Sequence, residues 1–410
     1  MGKGVGALLL VCLIILIATT NGLTQGGRRI PQVLIAGGIS DGPNPEPGPL
    51  VPLATAELYN PVTGTYAPTK GDMSLALAFA SATRLRDGRV LIAGGTDMGF
   101  QGGASFANAQ IYNPSTQAFS PTGNLVTGRS GHIAVLLKNG KVLIAGGFNL
   151  CCGGLASAEL YDPKTGTFTA TGNMTQPRNQ AMASMLSNGQ VLVVGGLNDI
   201  GFPVDYPDMF APLATAEIYD PRSGAFHAIA NMIAARADGS ATLLRNGKVL
   251  LAGGGALLPP ARPGAAVGGS TELYDPKTGA FSPTGSMITG RFDLNATVLK
   301  TGSVLITGGT TVGLGGRLVN AAPPEVYNAK NGVFGTAASL TGDQGTGHQG
   351  AAIALDSGDV LIGGGVAFTQ GGFFPLAASE LYHSQSNSFT ATQSMGTTRW
   401  GAAATAVMGR

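Results

Sequence analysis

Charge is scarce in this sequence. Of 410 residues, 24 are Lys or Arg and 22 are Asp or Glu, which is 11% charged with a formal net charge of +2. The concentrated basic surface that nucleic-acid phosphates demand is absent, so nucleic acid is not an expected partner. Cysteine is scarcer, with three, and tryptophan occurs once. So few cysteines cannot staple a chain of this length, and a packed apolar core must hold it. Beyond the first 22 residues no helical hydrophobic period appears. What is plentiful is apolar character, at 44%, together with 65 glycines and 24 prolines. That balance excludes a disordered chain, and glycine without a collagen triplet means many tight turns.

The N-terminus stands apart. Residues 1–22 carry one early cation, Lys3, an apolar stretch Val5–Ile17, and then the small or polar residues Ala18 to Gly22. This pattern predicts a secretory signal peptide, with an uncleaved N-terminal anchor as the alternative; the stretch is short for a spanning helix of about 20 residues. The expected location is secreted, periplasmic or at the cell surface, with a membrane involved only through that segment. Cys12 lies within the apolar stretch, so Cys151 and Cys152 remain in the mature chain. In an exported protein these neighbours either close on each other as a vicinal disulfide or stay reduced.

The main signal is repetition. Variants of Val-Leu-Ile-Ala-Gly-Gly start at Val33, Val90, Val142, Val191, Val249, Val304 and Val360, spaced 57, 52, 49, 58, 55 and 56 residues apart. Each copy is preceded by a small apolar segment and a tight turn such as Lys138-Asn139-Gly140-Lys141, whose Asn-Gly pair predicts a hairpin with a primed turn. A variable loop follows, then a segment like Ala158-Glu159-Leu160-Tyr161, a Pro-containing turn, and a last segment with an aromatic such as Phe168. Each unit therefore reads as four short antiparallel strands. One such sheet cannot bury both faces, but seven packed around an axis can. The predicted fold is an all-β, seven-bladed β-propeller over residues 28–410.

The ends predict how the ring closes. Arg129 and Arg291 stand eleven residues before the turn glycines Gly140 and Gly302, and Arg399 opens the same segment just before the chain stops at Arg410. The first unit begins directly at Val33 without that strand. The C-terminal strand is thus expected to complete the N-terminal blade.

These residues resemble kelch repeats: the glycine pair after an apolar strand, the Glu-x-Tyr-Asp-Pro stretch, the aromatic seven residues past the tyrosine and the arginine that opens the next unit. The chain departs from the usual pattern by placing phenylalanine or tyrosine where kelch repeats commonly have an outer-strand tryptophan. Seven-bladed kelch propellers serve as protein-binding platforms and as the central domain of galactose-oxidase-like copper radical enzymes, so the resemblance implies an architecture and leaves two functional readings open.

Candidate sites follow from where the units agree and where they differ. Arg129, Arg178, Arg236, Arg291 and Arg399 share one position, with Leu77 and Gly347 as exceptions; Glu57, Glu159, Glu217, Glu272, Glu325 and Glu380 share another, with Gln110 as the exception. Such charges either ring the mouth of the channel as a binding surface or pair to orient loops. The loops after the glycine pairs differ most, and they share a face with the arginine-bearing connections. On that face Phe148, Tyr206, Phe210, Phe373 and Trp400 are candidates to stack on a sugar or anchor a protein. Asp199, Asp205 and Asp208 lack the spacing of a known calcium loop, and no metal site is expected. His132, His227, His348 and His383 carry a copper centre only under the oxidase reading, where Tyr382-His383 superficially resembles a ligand pair. The preferred reading is a non-catalytic, exported propeller, with no cofactor, that binds a protein or glycan through its loop face.

Overall fold

The computed structural model describes residues 31–41, 50–97, 104–198, 212–255, 268–313, 318–321, 323–340, 350–369 and 372–408. The proposed signal segment, Tyr206, Phe210 and His348 lie outside the described residues, as do the side chains of Phe368 and Phe373. Every regular element among the described residues is a strand.

The strands form seven antiparallel blades, each with the order inner strand, second, third and outer strand. In the third blade these are Ile133–Leu136, Val142–Ala145, Ala158–Asp162 and Thr167–Ala170. Its second strand is buried throughout because both faces of the sheet press on neighbouring blades, which is why the sequence there is a continuous apolar run and not an alternation. The outer strand, with one face in solvent, exposes Thr167, Thr169 and Ala170 around Phe168. The first blade takes its inner strand, Ala403–Met408, from the C-terminus: it pairs with Pro31–Ala36 from Pro31↔Met408 to Ala36↔Ala403. The predicted closure of the ring is therefore present.

The core is divided among the blade boundaries. Seven apolar clusters each straddle two adjacent blades, as where Leu143 and Val135 of the third meet Val191, Val193 and Tyr219 of the fourth. Each boundary also holds a tilted aromatic pair from the third and outer strands, such as Tyr161 and Phe168 at 4.8 Å between ring centroids. Hydroxyl bonds at 2.9 Å join Thr122 to Tyr161, Thr171 to Tyr219 and Thr284 to Tyr327 across boundaries. In the first blade Tyr66 replaces the outer-strand phenylalanine, and its hydroxyl donates to Ser379 of the seventh at 2.9 Å.

The hairpin turns differ from the expected primed type. A primed turn of that kind needs positive φ at both central residues, yet at Asn139-Gly140, Asp87-Gly88, Asn188-Gly189 and Asn246-Gly247 only the glycine is left-handed, with φ between +84° and +92°. The amide of Gly140 donates to the carbonyl of Leu137 at 2.9 Å, and Leu137 N–H donates to Lys141 at 2.8 Å. Each is a common turn closed by a left-handed glycine, a geometry that adds local twist at the end of a short hairpin. These turns occupy one face of the ring, with the third-to-outer-strand turns. The variable loops and the connections between blades occupy the other.

On the loop face several variable loops carry their own short hairpins, among them Ile39–Ser40 with Val51–Pro52, Phe148–Asn149 with Gly153–Gly154, and Val366–Thr369 with Gly372–Pro375.

Candidate functional site

The loop face is built on a repeated clamp. Arg178 enters the fourth blade from the connection and points back into it. Its guanidinium donates to the carbonyls of Gly195 at 2.8 Å and Thr215 at 3.1 Å, to the hydroxyl of Thr215 at 2.9 Å, and to Oε1 of Glu217 at 2.8 and 3.0 Å. The other carboxylate oxygen of Glu217 accepts the amide of Thr175 at 2.8 Å, while the Arg178 carbonyl accepts Gly147 N–H from the third blade at 2.8 Å. One arginine thus ties its own blade, the incoming connection and the blade before it. The pairs Arg129–Glu159, Arg236–Glu272, Arg291–Glu325 and Arg399–Glu57 repeat the contact at 2.7–3.0 Å.

All five arginines are at most 1% exposed. They lie beneath the loop face, with their donors committed inside the chain, and do not form a cationic ring open to a ligand. Burial pulls the guanidinium pKa of Arg129, Arg178, Arg291 and Arg399 downward, opposed by the glutamate in contact. Blade two shows the same physics by exception: Leu77 stands in the arginine position, and the partner position holds neutral Gln110, whose Oε1 accepts the amide of Ser74 at 2.8 Å. A carboxylate there would be buried without its cation.

The glycine pairs make room for the clamp. Gly146 and Gly147 have φ of +65° and +89°, and a Cβ on Gly147 would stand 2.6 Å from the Ser130 carbonyl and 2.8 Å from the His132 Cβ. The backbone of one blade passes too close to the next connection for any side chain.

Two of the proposed aromatic contacts are also internal. Phe148 is 4% exposed, and Trp400 is 3% exposed, packed edge-on against Phe79 with centroids 5.7 Å apart in a small cluster with Ile39, Ala78 and Val366. Sequence spacing could not show that the loops fold over them. Cys151 and Cys152 are joined as a vicinal disulfide at the exposed tip of the third-blade hairpin. That tip is held by Asn149, whose Oδ1 accepts Cys151 N–H at 2.9 Å and whose Nδ2 donates to the Gly128 carbonyl at 2.5 Å.

Among the described residues, the large apolar side chains that this face exposes are aliphatic, a feature the sequence reading missed. Val126, Ile233 and Ile288 are 66%, 63% and 62% exposed and occupy the same place, three residues before the clamp arginine, in three connections. Each follows a buried anchor, Leu125, Met232 or Met287, and each backbone amide donates to the clamp glutamate at 2.6–2.7 Å. Val51, Leu150, Val312 and Val319 add exposed aliphatic carbon on the loop hairpins. The recurrence of an aliphatic residue three positions before the arginine was visible in the sequence, but its exposure was not.

The histidines do not converge among the described residues. His132 is buried between the second and third blades with Nε2 2.9 Å from Ser81 Oγ; burial, then the nearby Arg129 charge, lowers its pKa to about 3. His227 is on an outer strand, and His383 sits on the turn face with Asp359 at 3.2 Å and Thr390 at 2.8 Å. Tyr382 is a core residue paired with Phe389, its hydroxyl donating to Asn387 at 3.0 Å. Among the described residues no three His, Cys, Asp or Glu side chains come together as a metal donor set.

Comparison with known proteins agrees with this architecture. The Kelch motif family model matches residues 129–175, the segment from the clamp arginine of the third blade through its outer strand. No curated protein matches the chain. A solved structure of YjhT is similar at 15% identity and a TM-score of 0.54, over 74% of this chain and 97% of that one. A fungal alcohol oxidase of the AA5 family, in complex with copper, is similar at 17% identity and a TM-score of 0.58, over 79% of this chain and 66% of that one. Both are likenesses of fold. With the clamp, the glycine pair and the Glu-x-Tyr stretch repeated around a closed circle, the chain is a kelch-type seven-bladed β-propeller.

Proposed function

We propose that this propeller is an exported, non-catalytic recognition protein whose loop face docks a protein partner. The observation that carries the reading is the set of exposed aliphatic side chains, Val126, Ile233 and Ile288, each fixed to the clamp through its own backbone. Apolar groups held this firmly in water lose little conformational freedom on docking, so their burial converts to affinity with small ordering cost. Aliphatic carbon favours a protein over a sugar, and Phe148 and Trp400, the two aromatics proposed to stack on a glycan whose side chains are described, are covered.

The test is a pull-down from the exported fraction of the host, with a glycan array beside it. Wild type and a turn-face control, Val62→Asp with Val333→Asp, should retain the same partner, whereas Val126→Asp, Ile233→Asp and Ile288→Asp together should lose it with an unchanged melting temperature. Glycan binding that survives the triple change would sink the protein reading. Sustained peroxide production from alcohols after loading with copper would establish the oxidase reading instead.

A further inference from the structure

The ring encloses a cavity of 420 Å³ along its axis, within the size range of small-molecule sites. It runs from Gly239 and Leu294 near the loop face to Leu186 and Ser187 at the turn face, between the inner strands. Its wall is made of alanines and aliphatic residues interrupted by hydroxyls, including Thr83, Ser184, Thr242 and Thr405. The Thr83 hydroxyl is buried and has no hydrogen-bond partner among the described residues. Two charged side chains line the cavity, Arg84 and Lys138, and both are cations.

These two are in different states. Lys138 donates to the carbonyl of Ser187 in the next turn. The other cations near this mouth are similarly engaged: Arg86 donates to the Lys138 carbonyl, Arg245 to that of Lys300, Lys300 to that of Asp356, and Arg89 pairs with Asp87. Arg84 alone among them has no hydrogen bond or ion pair to a described residue, although it is half-buried. Asp356, on the seventh-blade turn, acts on it only at longer range, and burial dominates, pulling its pKa down. A half-buried guanidinium with unspent donors, in a wall without carboxylates, is an incomplete arrangement that a bidentate anion would complete.

We propose that the turn-face end of the channel binds a small organic carboxylate, with the carboxylate held by Arg84 and the body lying along the hydroxyl-lined wall. This site is at the opposite end of the molecule from the docking face and does not depend on it.

Calorimetric titration of the full chain with gluconate, malate and benzoate tests it, with sorbitol as the uncharged counterpart of gluconate and sulfate as a bare anion. At least one carboxylate should bind saturably, and sorbitol should not. Arg84→Gln should weaken that binding about tenfold or more, Arg84→Lys should weaken it less, and Lys277→Gln, on an exposed turn, should leave it unchanged. Arg84 has no partner to lose, so both variants should melt like wild type. The proposal is overturned by the absence of saturable binding for all three carboxylates, by equal affinity in Arg84→Gln, or by sulfate binding as tightly as the best carboxylate.

Discussion

The arginine–glutamate clamp shows how one residue type can be repeated for architecture on a face that otherwise varies. A buried ion pair is stabilising only when its remaining donors and acceptors are met; here the leftover donors of Arg178 meet the Gly195 and Thr215 carbonyls and the leftover oxygen of Glu217 meets the Thr175 amide. Glu217→Gln leaves the cation buried without its counter-charge and should cost about 3–5 kcal/mol in a urea melt. An unchanged midpoint would show that the pair is incidental. His132 gives a second measurement at this scale. Its folded pKa, about 3, lies below the ordinary value of 6.5, so the unfolded chain binds the proton first and acid favours unfolding. The stability present above pH 6.5 should be lost as pH falls toward 3, by about 1.4 kcal/mol per pH unit from this group. His132→Gln should flatten the slope between pH 6.5 and 5 relative to wild type, read from melting curves.

At the scale of the strand and hairpin, the seven-fold Val-Leu-Ile-Ala-Gly-Gly string made the second strands legible, because a sheet buried on both faces writes its position as an unbroken apolar run. The missing first strand of the opening unit made the closure legible in the same way. Removing residues 399–410 should abolish the cooperative melt or drive aggregation, since it takes away both the inner strand of the first blade and the Arg399–Glu57 clamp and bares the edge of Pro31–Ala36. A truncated chain that melts like the full one would contradict the role assigned to this strand. Turn type was not legible: Asn-Gly serves both the primed turn and the one found here, and only φ at Asn139 separates them. Nor was the fate of the arginines. Their pairing partners lie 30–39 residues away within one blade, except across the chain ends, and the clue was the joint loss of charge at Leu77 and Gln110, which blade seven, with Gly347 but a retained Glu380, obscures. The covering of Trp400 was hidden for a different reason, since its neighbours Ile39, Phe79 and Val366 come from three blades that only the closed ring brings together.

For the molecule as a whole, the two ends of the ring differ in kind. The loop face offers aliphatic groups on a fixed frame, and the turn face offers a channel mouth with one unspent guanidinium. The pairing of Pro31 with Met408 places the first and last described residues side by side in adjacent antiparallel strands. Topologically, the chain break is then an ordinary hairpin left uncut by any turn, and nothing in the circle marks blade one as a beginning. Linking those strands by a short turn and opening the polypeptide instead at an exposed outer turn such as Asp275-Pro276-Lys277-Thr278 would yield a circular permutant of the same shape, with new ends on the channel-mouth side and the docking side left free of them.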